Sequence, residues 1–341
     1  MNRIFVTGDC HCEYRKLSFH NFPESRELTK DDYVIVCGDF GYWDRSKEQE
    51  YWLDWLEDRP FTTLWVDGNH ENYDLLKDLP VQEWNGGRVQ FCRPSVIHLM
   101  RGQIFEIAGK KFFTFGGARS HDISGGILEM DDPQYKEKMH SLQRQGVSFR
   151  VNHFTWWQEE MPSREEMDEG LANLEKAGWK MDYIISHCCA SSLIRTNHYM
   201  DDDINELTEF FEAVRDRCDY GHWFFGHYHV NGDWGEKDTC LYARIVELEE
   251  GGYRRCGAVA KFKYHEIVRF LARGKEGPEE YVGKIVHIEP LGGGLYEGVQ
   301  PTANIRTEDG RFHKYIPYQD IRKIVPEKQR GENGEEDEWL I

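Results

Sequence analysis

Two aspartates, one asparagine and five histidines stand in short polar clusters that follow apolar text: Asp9 and His11 in "GDCHC", Asp39 in "GDFG", Asn69 and His70 in "GNHE", His187 in "SHCC", and His227 and His229 in "GHYH". None of these clusters alternates as a half-buried strand or repeats as an exposed helix face. Carboxylates, imidazoles and an amide oxygen together suit borderline divalent metals such as Mn, Fe, Ni, Co or Zn, and lack the all-oxygen character of a calcium site. A single strand-end histidine is ordinarily a capped surface residue, whereas eight such residues at equivalent positions point to one shared centre. The cysteines around them, Cys10, Cys12, Cys188 and Cys189, lack the second spaced pair of a zinc knuckle. They are expected to pack as small reduced thiols, as are the rest of an odd set of nine.

Positioning these groups falls to short strands. "RIFVTGD", "DYVIVCGD", "TLWVDGN", "KFFTFGGA", "DYIISHC", "HWFFGHYH" and "CLYARIVEL" have strand length, β-branched or aromatic content, and polar residues at their carboxyl ends. A glycine after a buried strand permits a tight turn, and open α/β folds place ligands at the carboxyl edge of the sheet. Helices are predicted for "SKEQEYWLDWLEDR", for "SREEMDEGLANLEKAGW" with Ser163 and Glu166 in capping-box spacing, and for "DINELTEFFEAVRDRC". "VIHLMRGQIFEIAGKKFFTFGG" reads as consecutive strands with Gly turns. The paired Trp156 and Trp157 and the apolar-flanked His222 read as packing residues.

Strands alternating with helices imply a layered α/β (α+β) domain over residues 1–250. From about Lys261 the text becomes β-rich with Gly, Pro and Glu-Asp-Gly turns, which predicts a small SH3-like β-barrel over 260–327; an acidic, mobile tail is expected over 328–341. No internal repeat is evident. In a chain of 341 residues the net charge of −19 argues against broad attachment to polyanions. Bound divalent cations reverse the local field, so a phosphate-bearing substrate stays compatible with it. With no apolar run near the roughly 20 residues that span a bilayer, and an N-terminus entering a strand directly, the chain is expected to be cytoplasmic with no membrane partner.

As an ordered set, "GDCHC", "GDFGYWDR", "GNHE", "SHCC" and "GHYH" resemble the motifs D-x-H, G-D, G-N-H-E/D, a lone strand-end His and G-H-x-H of the calcineurin-like metallophosphoesterases. The resemblance covers about the first 250 residues and implies that family's four-layer β-sandwich flanked by helices. It implies two divalent metal ions, Mn favoured. Asp9, His11 and His229 would hold one ion, Asn69, His187 and His227 the other, with Asp39 bridging and catalytic, and with His70 beside the scissile bond as the residue that protonates the leaving group. The reaction implied is hydrolysis of phosphoesters by metal-activated hydroxide.

In the protein Ser/Thr phosphatase branch the second motif reads G-D-x-V-D-R-G. Here Asp44 and Arg45 lie further along and the last glycine is missing. By that resemblance Asp44 would orient His70 and Arg45 would grip phosphate, with an ordinary helix start as the alternative. Glu71 is assigned a supporting hydrogen bond. In "FGGARSHD", Arg119 and His121 are substrate-contact candidates. Phosphomonoesters, in a small molecule, nucleotide or phosphoprotein, are preferred as substrate. The alternatives are a phosphodiesterase or nuclease whose barrel captures nucleic acid, and a catalytically dead scaffold for protein partners, disfavoured because no ligand and no His70 is lost.

Overall fold

The computed structural model describes residues 2–197, 203–256, 267–273, 278–289, 302–317 and 320–323. The chain divides into two units, Met1–Tyr14 with Glu24–Cys256, and Arg15–Pro23 with Gly257–Ile341. Among the described residues no helix is long and apolar enough to cross a membrane.

The first unit is built on two sheets. One has eight strands in the order Gly252–Cys256, Ile245–Glu249, Ile4–Thr7, Tyr33–Val36, Thr62–Trp65, Val96–Leu99, Gly87–Arg93 and Val81–Trp84. The other has six, in the order Gly232–Asp233, Asp238–Cys240, Asp219–Phe225, Lys180–Ser186, Lys110–Phe115 and Gln103–Ile107. The middle of each sheet is parallel. These strands are buried on both faces, so they read as apolar runs without alternation.

Val6, Ile35, Leu64 and Ile97 of the first sheet meet Phe112, Tyr183, Ile185 and Phe224 of the second in one core. The other face of the second sheet, with Phe113, Phe115, Ile184 and Trp223, packs against Met167 and Leu174 of α4 (Arg164–Lys176), Leu193 of α5 (Ser191–Thr196), and Leu207 and Val214 of α6 (Glu206–Arg217). Over the outer face of the first sheet α1 (Lys47–Glu57) buries Leu53 and Leu56. The layering is helix, sheet, sheet, helix.

Local chemistry explains the helices. Ser163 caps α4 with a reciprocal capping box, its Oγ accepting from Glu166 N at 3.2 Å while Glu166 accepts from Ser163 N at 2.7 Å. Ser46 caps α1 and Asn205 caps α6. Two helices were not expected, the short α2 (Tyr73–Lys77) and α3 (Tyr135–Gln145); α3 fully buries none of its residues and half-buries a thin apolar stripe of Tyr135, Met139 and Leu142.

One strand expectation is corrected. "CLYARIVEL" is not one strand: Cys240 ends a strand of the second sheet while Ile245 begins one of the first. The chain crosses between sheets at Tyr242–Arg244, where Asn231 Oδ1 accepts from both Tyr242 N at 2.9 Å and Arg244 N at 3.0 Å.

In the second unit Phe312–Pro317, Thr302–Thr307, Pro278–Glu289, Ile267–Arg273 and Ile321–Lys323 form, in that order, a five-stranded antiparallel sheet. It has its own apolar core of Val268, Phe270, Ile285, Ala303, Ile305, Ile316 and Ile321. The acidic tail expected at 328–341 lies outside the described residues.

Candidate metal centre

The ligand-bearing loops reach one place because their strands run parallel and in register. Thr7 lies opposite Val36 and Val36 opposite Trp65, so Asp9, Asp39 and Asn69 leave the first sheet at one edge. Ile185 lies opposite Phe224, which brings His187 and His227 out together from the second sheet. The loops then turn sharply. His11, Asp39, His227 and His229 have φ of +48°, +44°, +71° and +51°, a left-handed region that costs non-glycine residues energy and is held only where surroundings fix it. The preceding glycines permit the approach: a Cβ on Gly68 would lie 2.1 Å from Asp39 Oδ1, and one on Gly226 would lie 2.1 Å from Asp9 Oδ1.

Two sets of donors result, sharing Asp39. In the first, Asp9 Oδ2 lies 3.3 Å from His229 Nε2 and 3.7 Å from His11 Nε2, and His11 Nε2 lies 3.5 Å from Asp39 Oδ2. The ligand atoms of Asp9, His11, Asp39 and His229 fall within 4.8 Å of one another. In the second, Asp39 Oδ1 lies 3.3 Å from His187 Nε2, which is 3.1 Å from Asn69 Oδ1. The His187 and His227 rings stand 5.0 Å apart. His187 Nδ1 lies 2.8 Å from Cys37 O, a bond in which only the ring can donate, and this turns Nε2 to the centre.

The electrostatics ask for cations. Asp9 and Asp39 are 3% and 1% exposed, and burial opposes their ionisation. His11 and His229 around Asp9, and His187 and His11 around Asp39, outweigh that and hold both carboxyls far below the usual range. In the protein alone the compensating charge falls on imidazoles: burial disfavours a charged His187, but Asp39 and Asp9 push it up to about 9. His227 goes the other way, driven down by burial and by His187 and His121, and so keeps a lone pair to offer. Buried carboxylates, imidazole nitrogens whose protons a cation would displace, and an amide oxygen, all aimed at shared points, fit a pair of divalent cations.

His70 stands beside this set. Its backbone N–H donates to Asp39 Oδ1 at 2.8 Å, and its ring meets that of His11 edge-on at 5.1 Å. Burial pushes it down, with Asp39 opposing and His11 and Arg150 adding to the fall. Glu71, fully buried, accepts from Phe40 N, Gly41 N and Tyr42 N at 2.7, 3.0 and 2.8 Å. It thereby ties the loop after Asp39 to the loop carrying Asn69.

The substrate-contact candidates divide. His121 reaches the centre, with Nε2 2.7 Å from His227 Nε2 and Nδ1 2.8 Å from Asp203 Oδ1. Arg119 is exposed and has no ion pair among the described residues. Arg45 is engaged at the surface, its guanidinium 2.5 Å from Asp78 and both side chains 63% exposed. Asp44 accepts from Ser46 N at 2.9 Å at the entry to α1, the ordinary helix start. Trp157 is buried and donates to Asp74 at 2.7 Å, and His222 lies 2.8 Å from Thr239 Oγ1. Cys10, Cys188 and Cys189 are buried, and Cys12 donates to Gly41 O.

Three residue groups escaped the sequence reading. Asp67 and Arg101 form a buried pair behind Asn69, Arg150 lies close enough to depress His70, and Ser120 and Glu160 stand behind the amide of Asn69. The aspartate in "VDGNHE" was the one visible signal, an acid placed directly after a buried strand.

Residues 2–231 match the family model described as calcineurin-like phosphoesterase. The chain is also similar to lariat debranching enzyme A of Xenopus laevis, 26% identical in an alignment 145 residues long that covers 37% of this chain. The match spans 26% of that relative's length.

Proposed function

Because the chain belongs to the calcineurin-like phosphoesterase family, whose members hydrolyse phosphoester bonds, we propose that it is a phosphoester hydrolase working with two divalent metal ions. The observation that carries this reading is the shared Asp39, whose two oxygens face the two donor sets separately. Asp9, His11, Asp39 and His229 would hold one ion, and Asp39, Asn69, His187 and His227 the other. Bound there, a pair of cations supplies an acidified water and Lewis-acid stabilisation of phosphoryl charge. The chain's own groups do the rest. Asp39, anionic and buried, offsets the charge of both ions. His70, fixed through its N–H to Asp39, presents an imidazole that no ligand role consumes, suited to pass a proton to the departing oxygen. His121, beside His227, would contact the phosphate, as would the exposed Arg119 two residues before it.

The preference for monoesters rests on "GNHE" and on the approximate "DR" of Asp44 and Arg45; Arg45 pairs with Asp78 at the surface, so the second of these lends it little. The similarity to a relative named for lariat debranching favours a nucleic-acid phosphodiester as substrate. In the same reading the C-terminal sheet closes into the SH3-like barrel and captures the polymer.

The test is a parallel assay of the metal-loaded chain on a phosphomonoester, a phosphodiester and branched RNA, with elemental analysis of each variant. Asp39→Asn is expected to lose bound metal and turnover together. His70→Ala is expected to keep both ions and lose about 10²–10⁴-fold in turnover. Full turnover in Asp39→Asn would sink the bridging role, and hydrolysis of monoesters alone would sink the diester reading.

A further inference from the structure

An asparagine facing a cation has one useful end, its oxygen, and one that repels, its NH2, with almost the same shape. At Asn69 the choice between them is made by what lies behind. Nδ2 lies 3.4 Å from Ser120 Oγ, while Oδ1 lies 3.1 Å from His187 Nε2. Ser120 in turn is gripped by Glu160 through both carboxylate oxygens: Oε1 accepts from Ser120 N at 2.9 Å and Oε2 accepts from Ser120 Oγ at 2.6 Å. Asn69, Ser120 and Glu160 are 5%, 4% and 1% exposed, so water does not offer any of them an easy substitute. A hydroxyl has one proton. With that proton committed to Glu160, Ser120 Oγ faces Asn69 as an acceptor, takes the NH2, and leaves Oδ1 turned to the centre.

We propose that Glu160, acting through Ser120, is a positioning residue that sets which face of the Asn69 amide the metal centre meets. The inference rests on the dinuclear reading above and adds to it a residue outside the ligand set. Glu160 is itself held firmly. Arg101 Nη2 donates to Glu159 O at 2.8 Å, Ala118 N donates to Glu160 O at 3.1 Å, and a Cβ on Gly117 would lie only 2.6 Å from Glu160 O. The loop carrying Ser120 therefore approaches the 158–160 segment more closely than a side chain there would allow. Burial pushes the Glu160 carboxyl up to about 7, with the two Ser120 donors opposing.

Glu160→Gln tests the idea with almost no change of shape. The Ser120 backbone N–H cannot rotate, so the Gln oxygen must accept from it and the Gln NH2 must then face Oγ. Ser120 would turn its proton to Asn69, and the amide would present NH2 to the ion. Metal content by elemental analysis and affinity by competitive titration are measured at about pH 8.5, where the native carboxyl is ionised. The wild-type chain is expected to hold two ions, and Glu160→Gln to weaken one of them about 10–100-fold. Asn69→Asp has no wrong end, so in that background Glu160→Gln is expected to cause no further weakening. Equal weakening in both backgrounds, or none in either, would overturn the inference. A wild-type chain that binds fewer than two ions would instead sink the dinuclear reading and this inference with it, a result distinct from two ions with an indifferent Glu160→Gln.

Discussion

Asp67 holds a charge where water scarcely reaches, and it survives there through its partners. It is 2% exposed; Arg101 Nε donates to it at 2.7 Å, Tyr73 OH at 2.9 Å, and His98 Nε2 lies 3.1 Å away. Burial opposes its ionisation, but Arg101 and His98 outweigh burial and keep the carboxyl far below the usual range. Arg101→Met leaves that carboxylate stranded and is expected to cost about 3–5 kcal/mol, read as a lower urea midpoint at neutral pH. The pH dependence follows from the sign of the shift. A carboxyl with a depressed folded pKa contributes stability that is whole above its unfolded value of about 3.9 and drains away as pH falls toward the folded one. The unfolded chains of wild type and Arg101→Met titrate alike, so the gap between them is expected to narrow as pH falls from the variant's folded value, which loss of Arg101 raises, toward the depressed wild-type one, and a gap that stays constant into strong acid would contradict the assignment. Asp67 shows itself as an acid after a buried strand, but nothing local announces its partner. Thirty-four positions separate the two residues, and Arg101 sits in what reads as an ordinary turn between strands.

At the scale of the loops, glycine does different work at different places, and substitution separates the kinds. Gly68 must leave room for Asp39, since an added Cβ would fall 2.1 Å from its Oδ1. Gly109 turns a hairpin with φ of +76° and nothing within 4 Å of where a Cβ would lie. Gly109→Ala is expected to cost only the backbone strain, about 1 kcal/mol, and to keep its metal. Gly68→Ala is expected to displace Asp39 and abolish metal binding in the folded chain, as measured by elemental analysis beside a melting curve. Metal retained in Gly68→Ala would show that the loop yields more easily than the contact implies. The same contrast explains what could be read in advance. The polar clusters that meet at the candidate centre were legible because each ends an apolar run, and α1, α4 and α6 because caps and periodicity are written within a few residues. Sheet membership was not. Val96–Leu99 and Gln103–Ile107 read as neighbours in one hairpin series, yet they belong to different sheets, because pairing is decided by distant strands and not by the text of either. Ser120 and Glu160 were hidden for that reason too: neither is an unusual residue, and only the fold sets them behind Asn69.

For the molecule as a whole, the proposed dinuclear centre would join metal binding to stability. Asp9, Asp39 and Asn69 come from one sheet and His187, His227 and His229 from beyond the other, so cations bound between them tie together loops that must all be in place at once. An unfolded chain holds no such site, so an ion that binds only the folded form stabilises it by RT ln(1 + [L]/Kd), about 2.7 kcal/mol for one site at a hundredfold excess over Kd. In a domain of this size each kcal/mol moves the melting temperature by about 2–4 °C. Adding Mn to chelator-stripped chain is therefore expected to raise the transition of the first unit by several degrees, progressively with Mn concentration. Asp39→Asn is expected to lose most of that response, and its metal-free form to melt lower, since His187 and His11 hold the native carboxylate favourably ionised and the amide no longer answers them. The transition of the second unit, whose core is Val268, Phe270, Ile285 and their neighbours, holds none of these ligands and is expected not to move. Calorimetry with and without Mn separates the cases: equal shifts in wild type and Asp39→Asn would mean that the stabilising ions bind somewhere other than at Asp39.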